Sequence, residues 1–241
     1  METLIRERLE LVLAKMAKAA QSVGRNPDEV QLVVVTKTHP PETVRALLAA
    51  GAQLLGENYA EEGVEKMQTL AAMGVNLTPV KWHMIGHVQS RKASLIAQYF
   101  DLIHSVDSVK LAQRLNHFAS EQNRTLPVFL QLNVSGEESK SGLPAWTKPH
   151  STRLVEIVSE ILACSNLRVQ GLMTVPPFFD DPEQVRPYFR RLREWRETFA
   201  RQFPQANWDD LSMGMSGDFE VAIQEGATLV RVGTAILGPR T

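Results

Sequence analysis

The chain has 241 residues, 44% of them hydrophobic and 22% charged, and a formal net charge of −1 from 26 basic and 27 acidic side chains. That near-neutral balance gives no electrostatic footprint for nucleic acid or acidic membranes, and the single cysteine, Cys164, excludes an intrachain disulfide. No apolar run approaches the roughly 18 residues of a membrane span, and the charged, amphipathic N-terminus lacks a signal-peptide centre, so a soluble, cytoplasmic protein is expected.

Residues 2–22 read as a helix, because Leu4, Ile5, Leu9, Leu11, Val12, Met16 and Ala19 recur at three- and four-residue spacing with charges between them. Gly24, Asn26 and Pro27 end it. The first strand runs over 30–37, a β-branched apolar stretch that closes on Lys37 before His39-Pro40-Pro41. A helix opened by Pro41 and Glu42 ends at Gly51. Further strands are expected over 53–56, 81–86, 102–106, 127–134, 167–175, 210–213 and 229–232. Helical patterns follow at 59–72, 90–100, 108–122, 152–163, 182–203 and 218–226, with a short final segment. Arg186, Arg190, Arg191, Arg193, Arg196 and Arg201, interleaved with Glu194 and Glu197, read as a solvated helix face. Cys164 falls in an apolar pattern and reads as a small core residue.

Eight strands, each followed by a helical pattern, imply a parallel sheet. In a chain of this length they match a closed (β/α)8 TIM barrel better than an open doubly wound sheet, which more often stops at five or six strands. No linker or low-complexity stretch divides the chain, so one domain over 1–241 is expected, with the first helix as an addition to the barrel. The polar loop over 136–142 reads as part of the active face.

Barrels of this kind hold ligands at the carboxyl ends of their strands, with phosphate commonly bound after the last two. Those ends carry Lys37, then Asn58 after Glu57, then His83 near Gly86. Farther along stand Ser212-Met213-Gly214-Met215-Ser216-Gly217-Asp218 and Arg231-Val232-Gly233-Thr234. Ser216 and Gly217 begin a helix in a small-residue turn, where backbone N–H groups and a hydroxyl can receive an anion. Gly233 and Thr234 supply a second such turn on the adjacent strand. Read alone, the first is a capped turn with Ser216 as N-cap; together the two form a phosphate cup.

Strand alternation points Arg231 to the same side as Gly233, so the guanidinium faces the barrel mouth, with a carboxylate such as Glu57 or Asp218 as its structural partner or a ligand as its functional one. His83, taken alone, reads as a core histidine. No metal-binding spacing, Walker or Rossmann glycine pattern, or serine nucleophile elbow is present. A lysine at a strand end can be a solvated cation or an amine that forms a Schiff base. With a phosphate cup and an inward-facing arginine, the second reading suggests pyridoxal phosphate. Arg231 then meets the pyridine nitrogen and leaves it unprotonated.

These motifs resemble the YggS/PROSC family of pyridoxal phosphate homeostasis proteins, single-domain relatives of the alanine racemase barrel known as fold type III. The resemblance runs from the first strand to Gly238 and rests on Val35-Thr36-Lys37, Gly56-Glu57-Asn58-Tyr59, His83-Met84-Ile85-Gly86, Ser139-Lys140-Ser141-Gly142, Gly171-Leu172-Met173-Thr174 and the two final turns. It implies pyridoxal 5'-phosphate held as a covalent aldimine at Lys37, phosphate contacts from Ser216, Gly217, Gly233 and Thr234, Arg231 at the ring nitrogen, and Asn58, His83 and Ser212 lining the pocket. The Gly217 position varies among relatives, which implies a backbone contact there.

The function implied is intracellular homeostasis of this vitamin B6 cofactor: a carrier that buffers or delivers it without turnover, with cofactor-requiring apoenzymes as recipients, no nucleic-acid or membrane partner, and a monomeric state. The alternative is an amino-acid racemase of low activity. Racemases of this barrel type take a second acid–base tyrosine from an added β-domain. Here the sequence runs only a few residues past the eighth strand, and of Tyr59, Tyr99 and Tyr188 only Tyr59 lies near a strand end. A Schiff-base aldolase is a third reading, one that gives Arg231 no reason to stand beside the phosphate cup.

Overall fold

The computed structural model describes residues 1–146 and 152–239; the last two residues of the domain expected over 1–241 lie outside them. Among the described residues there are nine parallel strands: β1 (Gln31–Val35), β2 (Leu54–Glu57), β3 (Lys81–Met84), β4 (Leu102–Val106), β5 (Leu126–Asn133), β6 (Leu143–Pro144), β7 (Leu167–Met173), β8 (Asp210–Ser212) and β9 (Leu229–Val232). Pairing runs β4-β3-β2-β1-β9-β8-β7-β5, and β4 pairs with β5 to close an eight-stranded barrel. The two-residue β6 was not expected; it pairs with Leu132 and Asn133 at the carboxyl end of β5. Its neighbour, the polar 136–142 loop, folds back on that strand end, with the Asn133 side-chain amide donating to the carbonyls of Glu137 and Lys140.

The helices are α1 (Glu2–Gln21), α2 (Pro41–Ala49), α3 (Ala60–Ala72), α4 (Ala93–Tyr99), α5 (Val109–Glu121), α6 (Thr152–Leu162), α7 (Arg186–Gln202), α8 (Phe219–Gln224) and α9 (Thr234–Leu237). Because α9 is a single turn, it covers little of the barrel. The added helix α1 packs against α8, α9 and α2 and fills that sector of the outer layer. Its buried stripe is Ile5, Leu9, Val12, Met16 and Ala19, while Leu4 and Leu11, expected with them, are exposed on the outer face. Burying each larger side chain of that stripe contributes about 1.5–3 kcal/mol.

The basic cluster on α7 differs from the expected solvated face. Arg186, Arg190 and Arg193 converge on Glu225, whose side chain is 6% exposed at the end of α8. One buried carboxylate therefore gathers three guanidiniums and docks the two helices. Cys164 packs in the core as expected, where burial raises its thiol pKa.

Inside the barrel, Val33, Leu102, Phe129, Met173 and Leu229 form an apolar cluster. The rest of the lumen is polar, holding His83, His104, Ser212 and Arg231, each at most 5% exposed. This division of the lumen positions the site.

Candidate functional site

A cavity of about 340 Å³ opens at the carboxyl ends of the strands. Of the nine residues singled out in the sequence, seven line it: Lys37, Asn58, Ser216, Gly217, Arg231, Gly233 and Thr234. Val175, Phe178 and Phe179 add an apolar wall that sequence reasoning missed. Their signal was an aromatic pair, Phe178-Phe179, in the loop after the sixth expected strand, and Phe178 is 85% exposed.

Lys37 does not end its strand. β1 stops at Val35, and Lys37 is half-buried in the following turn, where Thr38 takes φ +64°. A β-branched residue rarely adopts that conformation, and a partly buried charge network holds it. Glu62 Oε1 accepts the Thr38 N–H at 2.5 Å, and Lys66 Nζ donates to the Thr36 carbonyl at 2.7 Å. Lys66 Nζ also contacts Glu57 Oε1 at 2.6 Å and Glu62 Oε1 at 3.1 Å. Thr36 Oγ1 donates to Glu57 Oε1 at 2.7 Å. The peptide units flanking Lys37 are thus clamped from α3. Glu57 is fully buried, and that burial raises its carboxyl pKa against the pull of Lys66 and Thr36. Glu57 therefore serves Lys66 and the Lys37 turn, and it is not a partner of Arg231.

Across the mouth, Ser216 Oγ lies 3.4 Å from the Gly233 nitrogen and 3.5 Å from that of Ala235, so the two small-residue turns meet. The amides of Ser216, Gly217 and Thr234 have no acceptor among the described residues. Asp218 Oδ1 accepts the Met215 N–H at 2.6 Å and braces the first turn. A Cβ built on Gly217 meets nothing within 4 Å, whereas Gly214, at φ +96°, has Ala222 at 2.6 Å. Gly214 is required by the turn's shape; Gly217 offers only its backbone.

Arg231 is 4% exposed, with Nη1 donating to Ser212 Oγ at 2.5 Å and Nη2 to the Thr174 carbonyl at 2.9 Å. Burial lowers its pKa to about 10, so it stays cationic at neutral pH. Asp218 is close enough to act on it through charge, but it makes no ion pair with it. Ser212 and His83 do not line the cavity; they lie beneath its floor. Ser212 is paired with Leu229, one interior layer below Arg231. His83 reaches the hollow at the opposite end of the barrel, beside Lys81, Asp101 and Asp210. His104, which sequence reasoning missed, joins them: its Nδ1 is 2.8 Å from Ser212 Oγ and its Nε2 is 3.1 Å from His83 Nδ1. Burial lowers the His83 pKa to about 4 and that of His104 well below the usual imidazole value, so both rings are neutral near neutral pH.

The fold and site together define a class: a barrel with a turn-borne lysine facing a cup of unengaged amides, and a cationic arginine in the floor between them. Residues 10–241 match the family model for the alanine racemase N-terminal domain. The chain is 40% identical over 236 residues to the pyridoxal phosphate homeostasis protein of Vibrio alginolyticus, covering 98% of this chain and 97% of that one. It is 40% identical over 234 residues to that of Aquifex aeolicus, covering 97% of each. Among solved structures, PipY of Synechococcus elongatus with pyridoxal phosphate bound superposes with a TM-score of 0.82 at 33% identity, covering 97% of this chain and all of that one. Alanine racemase of Clostridium difficile shares the fold at 14% identity, with a TM-score of 0.68 over 95% of this chain and 56% of that one. The chain belongs to the pyridoxal phosphate homeostasis protein family.

Proposed function

We propose that this chain binds pyridoxal 5'-phosphate reversibly at the cavity and serves to buffer and deliver it. The observation that carries the reading is the opposition, in one cavity, of Lys37 and the unengaged amides of the Ser216 and Thr234 turns, with buried Arg231 between them. Backbone N–H groups without acceptors, a hydroxyl and small residues suit a phosphate. Bound there, the cofactor supplies an aldehyde carbon that condenses with a primary amine and releases water. Lys37 Nζ is the amine for that covalent link. Asn58 lies on the Lys37 side, and the apolar wall with Phe179 suits a ring face.

Arg231 keeps its proton and can only donate to a ring nitrogen, so it provides no acid for the pyridine and leaves the ring a weak electron sink. Among the described residues no tyrosine lines the cavity; Tyr59 is 58% exposed and faces a neighbouring hollow. Both features favour holding the cofactor over racemising amino acids on it. A cytoplasmic monomer that hands the cofactor to apoenzymes completes the reading.

The test is to titrate the cofactor-free protein with pyridoxal phosphate, record the visible absorbance, and assay alanine isomerisation on the same sample. A stoichiometric yellow complex that exchanges its cofactor with an apoenzyme, without isomerising alanine, is expected. Turnover near the enzyme median of about 10 s⁻¹ contradicts the carrier reading.

A further inference from the structure

A chain of four buried polar side chains, Arg231–Ser212–His104–His83, runs down the barrel lumen beneath the cavity. Only one direction of its hydrogen bonds gives every proton in the chain, the buried serine's included, an acceptor. Arg231 can only donate, so Ser212 Oγ accepts from Nη1. The serine proton then has one described acceptor, His104 Nδ1 at 2.8 Å. That leaves His104 Nε2 carrying the ring proton, which it donates to His83 Nδ1 at 3.1 Å. His83 in turn carries its proton on Nε2, toward the hollow at the barrel base. The tautomers are thus assigned by the donor–acceptor pattern.

His104 is fully buried and packs edge-on to Phe129, with ring centroids 4.7 Å apart, so it has little freedom to turn. The consequence falls on Arg231. A serine hydroxyl that could point its proton at the guanidinium would repel it; one whose proton is committed to His104 is a fixed acceptor. With Ser212 and the Thr174 carbonyl taking one N–H each, three of the five guanidinium donors remain. We infer that His104 is a positioning residue for the cofactor site: acting through Ser212, it fixes the orientation in which Arg231 presents its remaining N–H groups to the cavity. This rests on the reading of Arg231 as the group that meets the cofactor ring.

The experiment compares His104→Leu, which removes the acceptor beside Phe129, with His104→Asn, whose Oδ1 can replace Nδ1 as acceptor. Both are made in the full chain loaded with pyridoxal phosphate. For His104→Leu, an altered visible band and about tenfold faster cofactor release are expected, the scale of one weakened charge-assisted hydrogen bond. His104→Asn should restore both toward the wild-type values. Folded variants that both keep the wild-type band and release rate overturn the inference. Arg231→Gln separates the two levels of the argument. If it leaves the band unchanged, the assignment of Arg231 to the ring fails and the inference falls with it; if it shifts the band while His104→Leu does not, only the positioning role fails. Should the His104 variants not fold, nitrogen-15 NMR of histidine-labelled wild-type protein decides. Neutral Nε2–H tautomers at both histidines are expected, and an Nδ1–H tautomer at His104 contradicts the inference.

Discussion

The two sides of the cavity mouth are built in opposite ways. On the β1–β2 side, the Lys37 turn is clamped by Glu57, Glu62 and Lys66, with Lys66 only 3% exposed and three oxygens around its ammonium. On the β8–β9 side, two small-residue turns meet at Ser216, and the amides of Gly217 and Thr234 have no acceptor among the described residues. The first side is complete within the chain; the second is completed by what binds. The lysine side should therefore respond to mutation through protein stability, and the side with the open amides through affinity.

The largest expected effect is at Lys66. Lys66→Met leaves Glu57 buried without its cation and should cost about 3–5 kcal/mol of stability, measured by urea unfolding of the cofactor-free protein. Adding Glu57→Gln should recover part of that loss. A change under about 1 kcal/mol would remove the contrast between the two sides.

The histidine pair beneath Arg231 gives a comparable effect through pH. The folded pKa of His83, about 4, lies below its ordinary 6.5. The unfolded chain therefore binds more protons in that interval, and stability falls as pH drops through it. The full His83 contribution is about 3 kcal/mol, and His104 acts in the same direction. Unfolding free energies measured at a series of pH values between those limits should show the slope, and His104→Leu should reduce it.

On the open side, Ser216→Ala should leave unfolding in the absence of ligand nearly unchanged and weaken cofactor binding by about 1.5 kcal/mol, roughly tenfold, as measured by equilibrium titration. Gly217→Ala should change affinity by less than about 0.5 kcal/mol, because its added methyl meets nothing and its amide remains.

The parts of the site that could be read in the sequence are those carried by short-range signals. Proline and glycine punctuation delimited the strands, and the strand ends delivered Lys37, Ser216, Gly233 and Thr234 to one face. Strand parity alone turned Arg231 inward. The supporting residues carry no such signal. Lys66 lies mid-helix among Glu61, Glu62 and Glu65, where an exposed i,i+4 pair is the ordinary reading, and only the packing of α3 on β2 buries it beside Glu57. His104 sits in Leu102–Val106, a strand buried along its whole length, so apolar patterning does not tell which face points into the lumen. The depth of Ser212 and His83 was misjudged for a related reason. Pairing register sets the layers of a barrel interior, and register is a property of neighbouring strands that a single strand's sequence does not contain.

The central claim is that the clamped turn presents Lys37, and no other lysine, to the cofactor. Borohydride reduction of the protein loaded with pyridoxal phosphate, followed by peptide mapping, tests it directly. The account predicts one stoichiometric pyridoxyl adduct on Lys37 and no adduct at any site in Lys37→Ala. A stoichiometric adduct on a different lysine, or a yellow complex that borohydride leaves unmodified, would contradict it.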